Sequence, residues 1–284
     1  MVTNLLKNKT VVVTGATSGI GKVAAEALAG MGASLLLVGR NEAKGNQMVE
    51  EIKSKTGNPD LIFLTADLSS MTEVRRLAGE INTRAEKIDV LLNNAGAVFM
   101  NHQTTVDGYE MTLALNHLSP FLLTDLLLNK LKAAPVARIV TVSSIAHLGG
   151  KMNFEDLMCS KSYNSWRAYS NSKLANILFT YHLAKTLKDT RITANTLHPG
   201  FVKTNFGLSN GGIYKSLMAI TQIFAISAEE GAKTSIYLAS SPEVEGVTGK
   251  YFIKSKPADS STASHNEETA TRLWDASLKL TGLA

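Results

Sequence analysis

Short apolar runs alternate along the chain with longer segments whose apolar residues recur at helical spacing. The apolar runs are rich in Val, Ile and Leu and alternate little between apolar and polar positions. This pattern is typical of strands that are buried on both faces of a parallel sheet. The strands predicted in this way are Thr10–Thr14, Ser34–Val38, Leu61–Thr65, Asp89–Leu92, Arg138–Ser143, Arg191–Leu197 and Thr248–Ile253.

Helical periodicity marks the segments between these strands. In the first of them the apolar side chains recur every three or four residues, as on one face of a helix. The predicted helices are Ile20–Met31, Glu42–Thr56, Met71–Arg84, Val106–Leu131, Ser165–Lys188, Glu229–Ala239 and Glu267–Leu280. The alternation of strand and helix predicts an α/β fold, with a doubly wound parallel sheet of about seven strands and helices on both faces. Since no linker rich in Pro, Gly or Ser interrupts the pattern, we expect residues 1–284 to form a single domain.

Two long connections do not fit the alternation, and long connections in compact domains are often functional. They are residues 146–164 and residues 203–227. Within the second, Leu217, Ile220 and Phe224 have the spacing of one face of a short amphipathic helix. We expect this segment to form a lid over an apolar substrate. Packing on the core and contact with a membrane surface remain alternatives.

Composition and charge exclude several classes of protein. With 44% hydrophobic and 19% charged residues, the chain is not expected to be disordered. The net charge of +5 is not clustered, so we do not expect nucleic-acid binding. The single cysteine, Cys159, excludes an intramolecular disulfide and fits a reducing compartment. No signal peptide or bilayer-spanning apolar segment is visible, which predicts a soluble cytoplasmic protein. The histidines include no pair at metal-ligand spacing, so no metal site is expected.

A glycine-rich turn connects the first predicted strand to the first predicted helix. Glycines allow the backbone to turn tightly and approach a pyrophosphate, while the helix N-terminus presents free N–H groups to the phosphates. The alternative is a tight turn without a ligand. The candidate phosphate-binding residues are Gly15, Thr17, Ser18, Gly19, Ile20 and Gly21.

Tyr169 and Lys173 lie one helical turn apart at the start of a predicted helix. A neighbouring ammonium favours the ionised form of a phenol, as does a positively charged nicotinamide. Tyr169 is therefore a candidate general acid or base, although the pair alone also fits two helix-surface residues.

Several motifs in the same order resemble the short-chain dehydrogenase/reductase family. They are Gly-x-x-x-Gly-x-Gly at Gly15–Gly21, Asn93-Asn94-Ala95-Gly96, Ser143-Ser144, Tyr169-x-x-x-Lys173 and Pro199-Gly200. The resemblance covers residues 8–253, and the segments 144–147, 153–157 and 172–176 are similar to the retinol dehydrogenase branch. It implies a Rossmann-type fold and a nicotinamide cofactor.

The resemblance also assigns roles to single residues. Asn116 would distort its helix and hold a water next to Lys173. Ser144 would orient the substrate oxygen and Ser143 would line the cofactor side, although the choice between these two serines stays open. Together with Tyr169 and Lys173, the implied cofactor contacts are Asp67, Leu68, Asn93, Ala95, Gly96, Pro199, Gly200, Val202 and Thr204.

The end of the second predicted strand bears on the choice of cofactor. An acidic residue there would bind the ribose hydroxyls of NAD, whereas Gly39 and Arg40 leave room and positive charge for a 2′-phosphate. We therefore predict NADP(H) in preference to NAD(H). The alternative is that Arg40 only solvates the end of the strand.

The sequence as a whole predicts an NADP(H)-dependent oxidoreductase that acts on a lipophilic aldehyde, ketone or alcohol, of a retinoid-like kind. Alternatives are a non-catalytic NADPH-binding sensor or scaffold, and a nucleotide-sugar epimerase or dehydratase. Nucleotide-sugar epimerases and dehydratases usually have a larger C-terminal substrate domain, and the predicted elements leave little length for one. The physiological substrate, the reaction direction, peripheral membrane contact and the formation of a homo-oligomer stay open.

Overall fold

The computed structural model describes residues 4–200 and 226–284 of the chain, and the strands in this part lie in one sheet. Their bounds are close to those predicted from the apolar runs. The strands are Thr10–Thr14 (β1), Ser34–Gly39 (β2), Leu61–Thr65 (β3), Val90–Asn93 (β4), Ala137–Val142 (β5), Ile192–His198 (β6), Tyr251–Ile253 (β7) and Lys256–Ala258 (β8).

Among the described residues, eight strands pair in the order β3-β2-β1-β4-β5-β6-β7-β8. Strands β1 to β7 are parallel, and only β8 runs antiparallel to its neighbour. The strand order reverses between β1 and β4, and ligands of such sheets bind beyond the carboxyl ends of the strands at this point. The structure confirms the predicted α/β, doubly wound fold.

Helices cover both faces of the sheet. Leu28, Met48 and Leu238 belong to the apolar core on one face, whereas Val74 and Phe179 belong to the core on the other. The helices are Gly19–Gly30 (α1), Glu42–Thr56 (α2), Met71–Arg84 (α3), Met111–Leu113 (α4), Ser119–Leu126 (α5), Leu128–Lys132 (α6), Ser165–Thr186 (α7), Ala228–Ser240 (α8) and Glu267–Thr281 (α9).

The predicted helix Val106–Leu131 was wrong in its first turn and in its continuity. Gly108 has a φ of 84°, which is incompatible with an α-helix. The helix begins only at Met111, because both carboxylate oxygens of Glu110 accept backbone N–H groups of the first turn at 2.8 Å. The segment Ala114–Leu118 then forms a π-helix between α4 and α5.

The hairpin of β7 and β8 was not predicted. Its two turn residues, Lys254 and Ser255, have φ values of 50° and 60°, in the left-handed region. A turn of this kind is usually signalled by Asn-Gly or Asp-Gly, and Lys-Ser gives no such signal. The predicted last strand, Thr248–Ile253, is correspondingly shorter in the structure, where it begins at Tyr251.

The predicted lid at residues 203–227 lies almost entirely outside the described residues, as do Val202 and Thr204. Ser227, at the end of that segment, is described and caps helix α8 by accepting the backbone N–H of Glu230 at 3.2 Å. None of the described helices is both long enough and apolar enough to cross a bilayer.

Candidate active site

In the turn between β1 and α1, glycines are required by the backbone conformation and by close contacts with neighbouring backbone atoms. Gly15 and Gly19 have φ values of 66° and 52°, which side-chain-bearing residues rarely adopt. A Cβ atom on Gly15 would lie 2.9 Å from Cα of Ala95, and one on Gly21 would lie 2.2 Å from the carbonyl oxygen of Gly15. The turn therefore lies tightly against the end of β4 and the start of α1.

The N-terminus of α1 differs from those of neighbouring helices. Asn41, Ser70 and Asn164 cap α2, α3 and α7 with their side chains, whereas Ser18 at the N-cap of α1 makes no such hydrogen bond. Thr17 is half-buried and Ser18 is exposed. The first-turn N–H groups of α1 are thus left for an anion, and this arrangement fits the pyrophosphate of a dinucleotide.

Asn94 and Thr14 hold this turn in place; the family resemblance implies such a bracing role for the Asn93-Asn94-Ala95-Gly96 motif, whereas the role of Thr14 was not predicted. The amide nitrogen of Asn94 donates to the carbonyl oxygens of Thr14 at 2.8 Å and Gly15 at 3.2 Å. The Thr14 hydroxyl accepts the backbone N–H groups of Asn94 and Ala95, each at 3.0 Å. The strand order of a doubly wound sheet could have indicated this contact, because it places the end of β4 beside the end of β1.

The other residues expected to contact the cofactor differ in the exposure and hydrogen bonding of their side chains. The side chain of Asn93 is buried and donates to the Thr124 hydroxyl at 3.1 Å. The exposed Asp67 accepts the backbone N–H of Ser69 at 2.9 Å and its hydroxyl at 2.7 Å. Leu68 is buried and its side chain belongs to the apolar core.

Gly39 and Arg40 end strand β2 beside the phosphate turn. A Cβ atom on Gly39 would lie 2.8 Å from the methyl group of Thr17, so the position has no room for a side chain. Arg40 is exposed, and within the described part of the chain its guanidinium has no carboxylate in ion-pair range. This end of the strand therefore offers an unpaired positive charge.

Tyr169 and Lys173 come together in the first half of α7, as their spacing predicts. Both are buried, with exposed fractions of 8% and 3%. The ammonium nitrogen of Lys173 lies 5.6 Å from the centre of the Tyr169 ring and donates to the carbonyl oxygen of Val142 at 3.0 Å. A Cβ atom on Gly96 would lie 3.2 Å from the same nitrogen, so the glycine lets the ammonium lie close to the backbone beyond β4.

Burial dominates the pKa values of this pair. It raises the pKa of Tyr169 to about 12, and a hydrogen bond with Ser144 acts in the opposite direction. Burial also lowers the pKa of Lys173 to about 8. Removal from water penalises the charged form of each group, so burial opposes both ionisation of the phenol and protonation of the amine.

The two adjacent serines beyond β5 have different partners. The buried Ser143 donates its hydroxyl proton to the carbonyl oxygen of Lys173 at 2.7 Å. Ser144 is only half-buried, and its hydroxyl accepts the backbone N–H of Ala146 at 3.2 Å and hydrogen-bonds Tyr169. Ser144 is therefore the serine whose hydroxyl lies with the phenol.

Asn116 lies in the π-helical segment and is fully buried. Its side chain makes a reciprocal pair of hydrogen bonds with the backbone of Ala97, each at 2.9 Å, and also donates to the Ser172 hydroxyl at 2.9 Å. It thereby joins the chain beyond β4 to helix α7 between Tyr169 and Lys173. Single π-turns inside helices are frequent at functional sites.

Pro199 and Gly200 follow β6 directly and are half-buried at the same edge of the sheet. Gly200 has a φ of 93°, so the chain turns here through a conformation that favours glycine. The structure thus brings the phosphate turn, the two serines, Tyr169, Lys173 and the Pro199-Gly200 turn to the carboxyl ends of the strands.

Comparison with known proteins supports the resemblance of the motifs. The family model for short chain dehydrogenases matches residues 9–210. Human retinol dehydrogenase 14 is 41% identical over 98% of this chain and 88% of its own length, and human retinol dehydrogenase 13 is 40% identical over 98% and 86%.

Solved structures agree with the fold. An uncharacterised protein from Mycobacterium paratuberculosis has a TM-score of 0.80 and 33% identity, covering 97% of this chain and 94% of the other. The RhlG/NADP active-site complex of Pseudomonas aeruginosa has a TM-score of 0.71 and 26% identity, covering 89% and 96%. The chain described here is therefore an oxidoreductase that belongs to the short-chain dehydrogenase family, in its retinol dehydrogenase-like branch.

Proposed function

We propose that the chain is an NADP(H)-dependent oxidoreductase that interconverts a lipophilic aldehyde or ketone and the corresponding alcohol. The observation that carries this proposal is the pair of buried residues Tyr169 and Lys173, with the half-buried Ser144 bonded to the phenol, at the carboxyl edge of the sheet. A bound nicotinamide supplies or accepts the hydride. The residues of the chain supply the proton and hold the reacting oxygen.

Tyr169 exchanges the proton with the substrate oxygen. With a pKa of about 12, its phenol is protonated at neutral pH and is ready to act as a general acid in carbonyl reduction. Ser144, which hydrogen-bonds the phenol, orients the same oxygen and stabilises its developing negative charge. For alcohol oxidation the phenol acts as a base, which needs a positive charge close by to favour its ionised form.

Lys173 and Asn116 support this proton transfer. Lys173 provides positive charge next to the phenol and binds the ribose of the cofactor. The bonds from Asn116 to Ala97 and Ser172 hold the backbone on either side of the lysine, where a water would connect the buried ammonium with solvent. This arrangement lets Tyr169 recover the proton that it gives up.

Two observations support NADP(H) as the cofactor. Arg40 offers an unpaired guanidinium at the end of β2, and Gly39 has no room for the carboxylate that would bind an NAD ribose. A guanidinium binds a phosphate through two parallel hydrogen bonds, which favours the 2′-phosphate of NADP(H). The Pseudomonas aeruginosa structure with similar fold contains NADP.

A lipophilic substrate is supported by exposed apolar side chains next to Tyr169 and shortly after Ser144. Trp166 is 62% exposed, and its ring centre lies 5.9 Å from that of Tyr169. Ile145 and Leu148, in the 3-10 helix that follows Ser144, are 42% and 59% exposed. We call these three exposed side chains the apolar rim, and the similar proteins named retinol dehydrogenases are in keeping with such a substrate.

A panel of carbonyl compounds and alcohols, followed by NADPH and NADH absorbance, tests this proposal. We expect turnover of nonanal and retinal with NADPH, with loss of most of it in Tyr169→Phe and unchanged NADPH affinity by calorimetry. Tyr237→Phe is the matched control, because the hydroxyl of Tyr237 bonds Glu243 away from the site. Turnover of the wild-type level in Tyr169→Phe would refute the proposed mechanism.

A further inference from the structure

We propose that His147 is a positioning residue, which with His198 fixes the peptide group after Ser144 and thereby the hydroxyl of Ser144. This inference rests on the proposed role of Ser144 at the substrate oxygen. The sequence pattern predicts no role for either histidine, because neither belongs to a pair at metal-ligand spacing.

His147 holds the carbonyl side of this peptide group. Its Nδ1 lies 2.7 Å from the carbonyl oxygen of Ser144, and its Nε2 lies 3.0 Å from the backbone nitrogen of Ser261. The N–H of Ser261 can only donate, so Nε2 must accept and the ring proton must be on Nδ1. His147 therefore donates to the Ser144 carbonyl as a neutral imidazole in one tautomer.

The surroundings of His147 leave its ring little freedom. The side chain is fully buried, and its ring centre lies 5.1 Å from that of Tyr251. Its backbone N–H also donates to the Ser144 carbonyl, at 3.1 Å. Burial lowers the pKa of His147, which is consistent with the neutral ring that the two hydrogen bonds require.

His198 holds the opposite side of the same peptide group. The backbone N–H of Ile145 donates to Nδ1 of His198 at 3.2 Å. His198 is the last residue of β6 and precedes the Pro199-Gly200 turn. Burial, with a smaller contribution from His147, lowers the pKa of His198 to about 4, so the ring is neutral and able to accept.

The peptide group between Ser144 and Ile145 is thus held from both ends by imidazoles on different parts of the fold. Because this group follows Ser144 directly, its orientation sets the backbone at Ser144 and so the place of the Cβ atom that carries the hydroxyl. A displacement of about 1 Å at a reacting group can lower the rate on the order of 100-fold. The two histidines therefore tie the position of Ser144 to the loop at Ser261 and to the end of β6.

Two substitutions of His147 separate positioning from packing. The amide nitrogen of His147→Asn lies where Nδ1 does and keeps the donor to Ser144, whereas the longer amide of His147→Gln replaces Nε2 and keeps the partner of Ser261. We expect His147→Asn to keep kcat within about threefold, and His147→Gln to lower kcat about tenfold or more with an unchanged KM for NADPH. A purely structural role predicts instead that kcat follows the loss of thermal stability in both variants.

A double-mutant cycle with Ser144→Ala completes the test, with nonanal and NADPH as the probe. If His147 acts through Ser144, His147→Gln lowers kcat in the wild-type background and has no further effect once the Ser144 hydroxyl is removed. An equal loss in both backgrounds, or a His147→Gln variant with wild-type kcat beside an impaired Ser144→Ala, overturns the positioning role alone. Wild-type kcat in Ser144→Ala would instead overturn the proposed role of Ser144, and this inference with it.

Discussion

The hydroxyl of Ser143 donates to the carbonyl oxygen of Lys173 at 2.7 Å, so the end of strand β5 holds helix α7 at the residue that carries the ammonium. The lysine side chain returns to the same strand, since its ammonium donates to the carbonyl oxygen of Val142 at 3.0 Å. The two hydrogen bonds place Lys173 by its backbone and by its side chain, both against the end of β5. Ser143 thus positions α7, which supports the proposal that Ser144 is the serine that contacts the substrate.

The two serines are expected to respond differently to removal of the hydroxyl. Ser143→Ala removes one buried hydrogen bond and should lower the free energy of unfolding by about 1 kcal/mol, with a small effect on kcat. Ser144→Ala should lower kcat by about 100-fold with little change in stability, because it removes a donor at the reacting oxygen. Denaturant unfolding and steady-state kinetics measure the two effects, and the reverse pattern would show that the assignment is exchanged.

Arg40→Ala is expected to weaken NADPH but not NADH. A hydrogen bond to a charged partner contributes about 1.5–3 kcal/mol, which corresponds to a rise of roughly 10- to 100-fold in the KM for NADPH. Arg191→Ala is the control, since it removes an exposed guanidinium just before β6, at the opposite edge of the sheet. Equal changes in KM for both cofactors in Arg40→Ala would contradict recognition of the 2′-phosphate.

The buried Lys173 should make stability depend on pH in the alkaline range. Its pKa falls from 10.5 in the unfolded chain to about 8 in the folded one, so between these values the unfolded state binds more protons. The free energy of unfolding therefore receives a contribution that rises with pH from about 8 to 10.5. Tyr169, whose pKa rises from 10.0 to about 12, contributes in the opposite direction, and only above pH 10.

Urea unfolding of the chain without cofactor at about pH 7 and about pH 9, roughly one unit below and one unit above the Lys173 pKa of about 8, checks this expectation. Lys173→Met should remove the rise in stability across this interval, because it leaves no group to titrate. Lys185→Met, which replaces a lysine with a mostly exposed side chain on the same helix, should keep the rise. A rise of equal size in wild type and Lys173→Met would assign the effect to other groups.

Trp166→Ala should impair long apolar substrates more than short ones. The exposed indole lies next to the Tyr169 ring and offers apolar area to a substrate chain that extends beyond the carbonyl. We expect kcat/KM for nonanal to fall by about tenfold and that for propanal to change little, since only the longer chain reaches the rim. A parallel loss for both aldehydes would indicate a disturbance of Tyr169 instead of lost contact with the chain.

The sequence predicted the fold well where local signals and burial agreed. Helices α2 and α3 coincide with their predicted bounds, because Asn41 and Ser70 are effective N-caps. The buried strands lack apolar/polar alternation, and this pattern is what predicts a parallel sheet. The predicted start of helix α4, at Val106, was wrong. The helix begins at Met111 because the side chain of Glu110 accepts the N–H groups of its first turn, and glutamate is not a residue that usually indicates an N-cap.

For the candidate site, too, the sequence predicted some features and not others. The pairing of Tyr169 with Lys173 follows from helical spacing, and the choice of residues came from motifs in order along the chain. The hydrogen-bond partners of Ser143 and Ser144 could not be predicted from the sequence. The two residues are adjacent at the end of a strand, and the packing of helix α7 determines which groups each of them meets. The hydrogen bonds of Asn94 with Thr14 and of His147 with Ser261 join groups that are distant in the sequence, and the partners in such contacts leave no pattern in a single chain.

The π-helical segment Ala114–Leu118 has a consequence for the length of its helix. A π-turn closes its hydrogen bond over one residue more than an α-turn, so the segment contains in effect one inserted residue. Deleting a residue here would restore a regular α-helix and rotate everything after it by about 100° relative to everything before it. Asn116 would then leave its place between Ala97 and Ser172, so the number of residues in this helix, as well as their identity, determines the shape of the catalytic crevice.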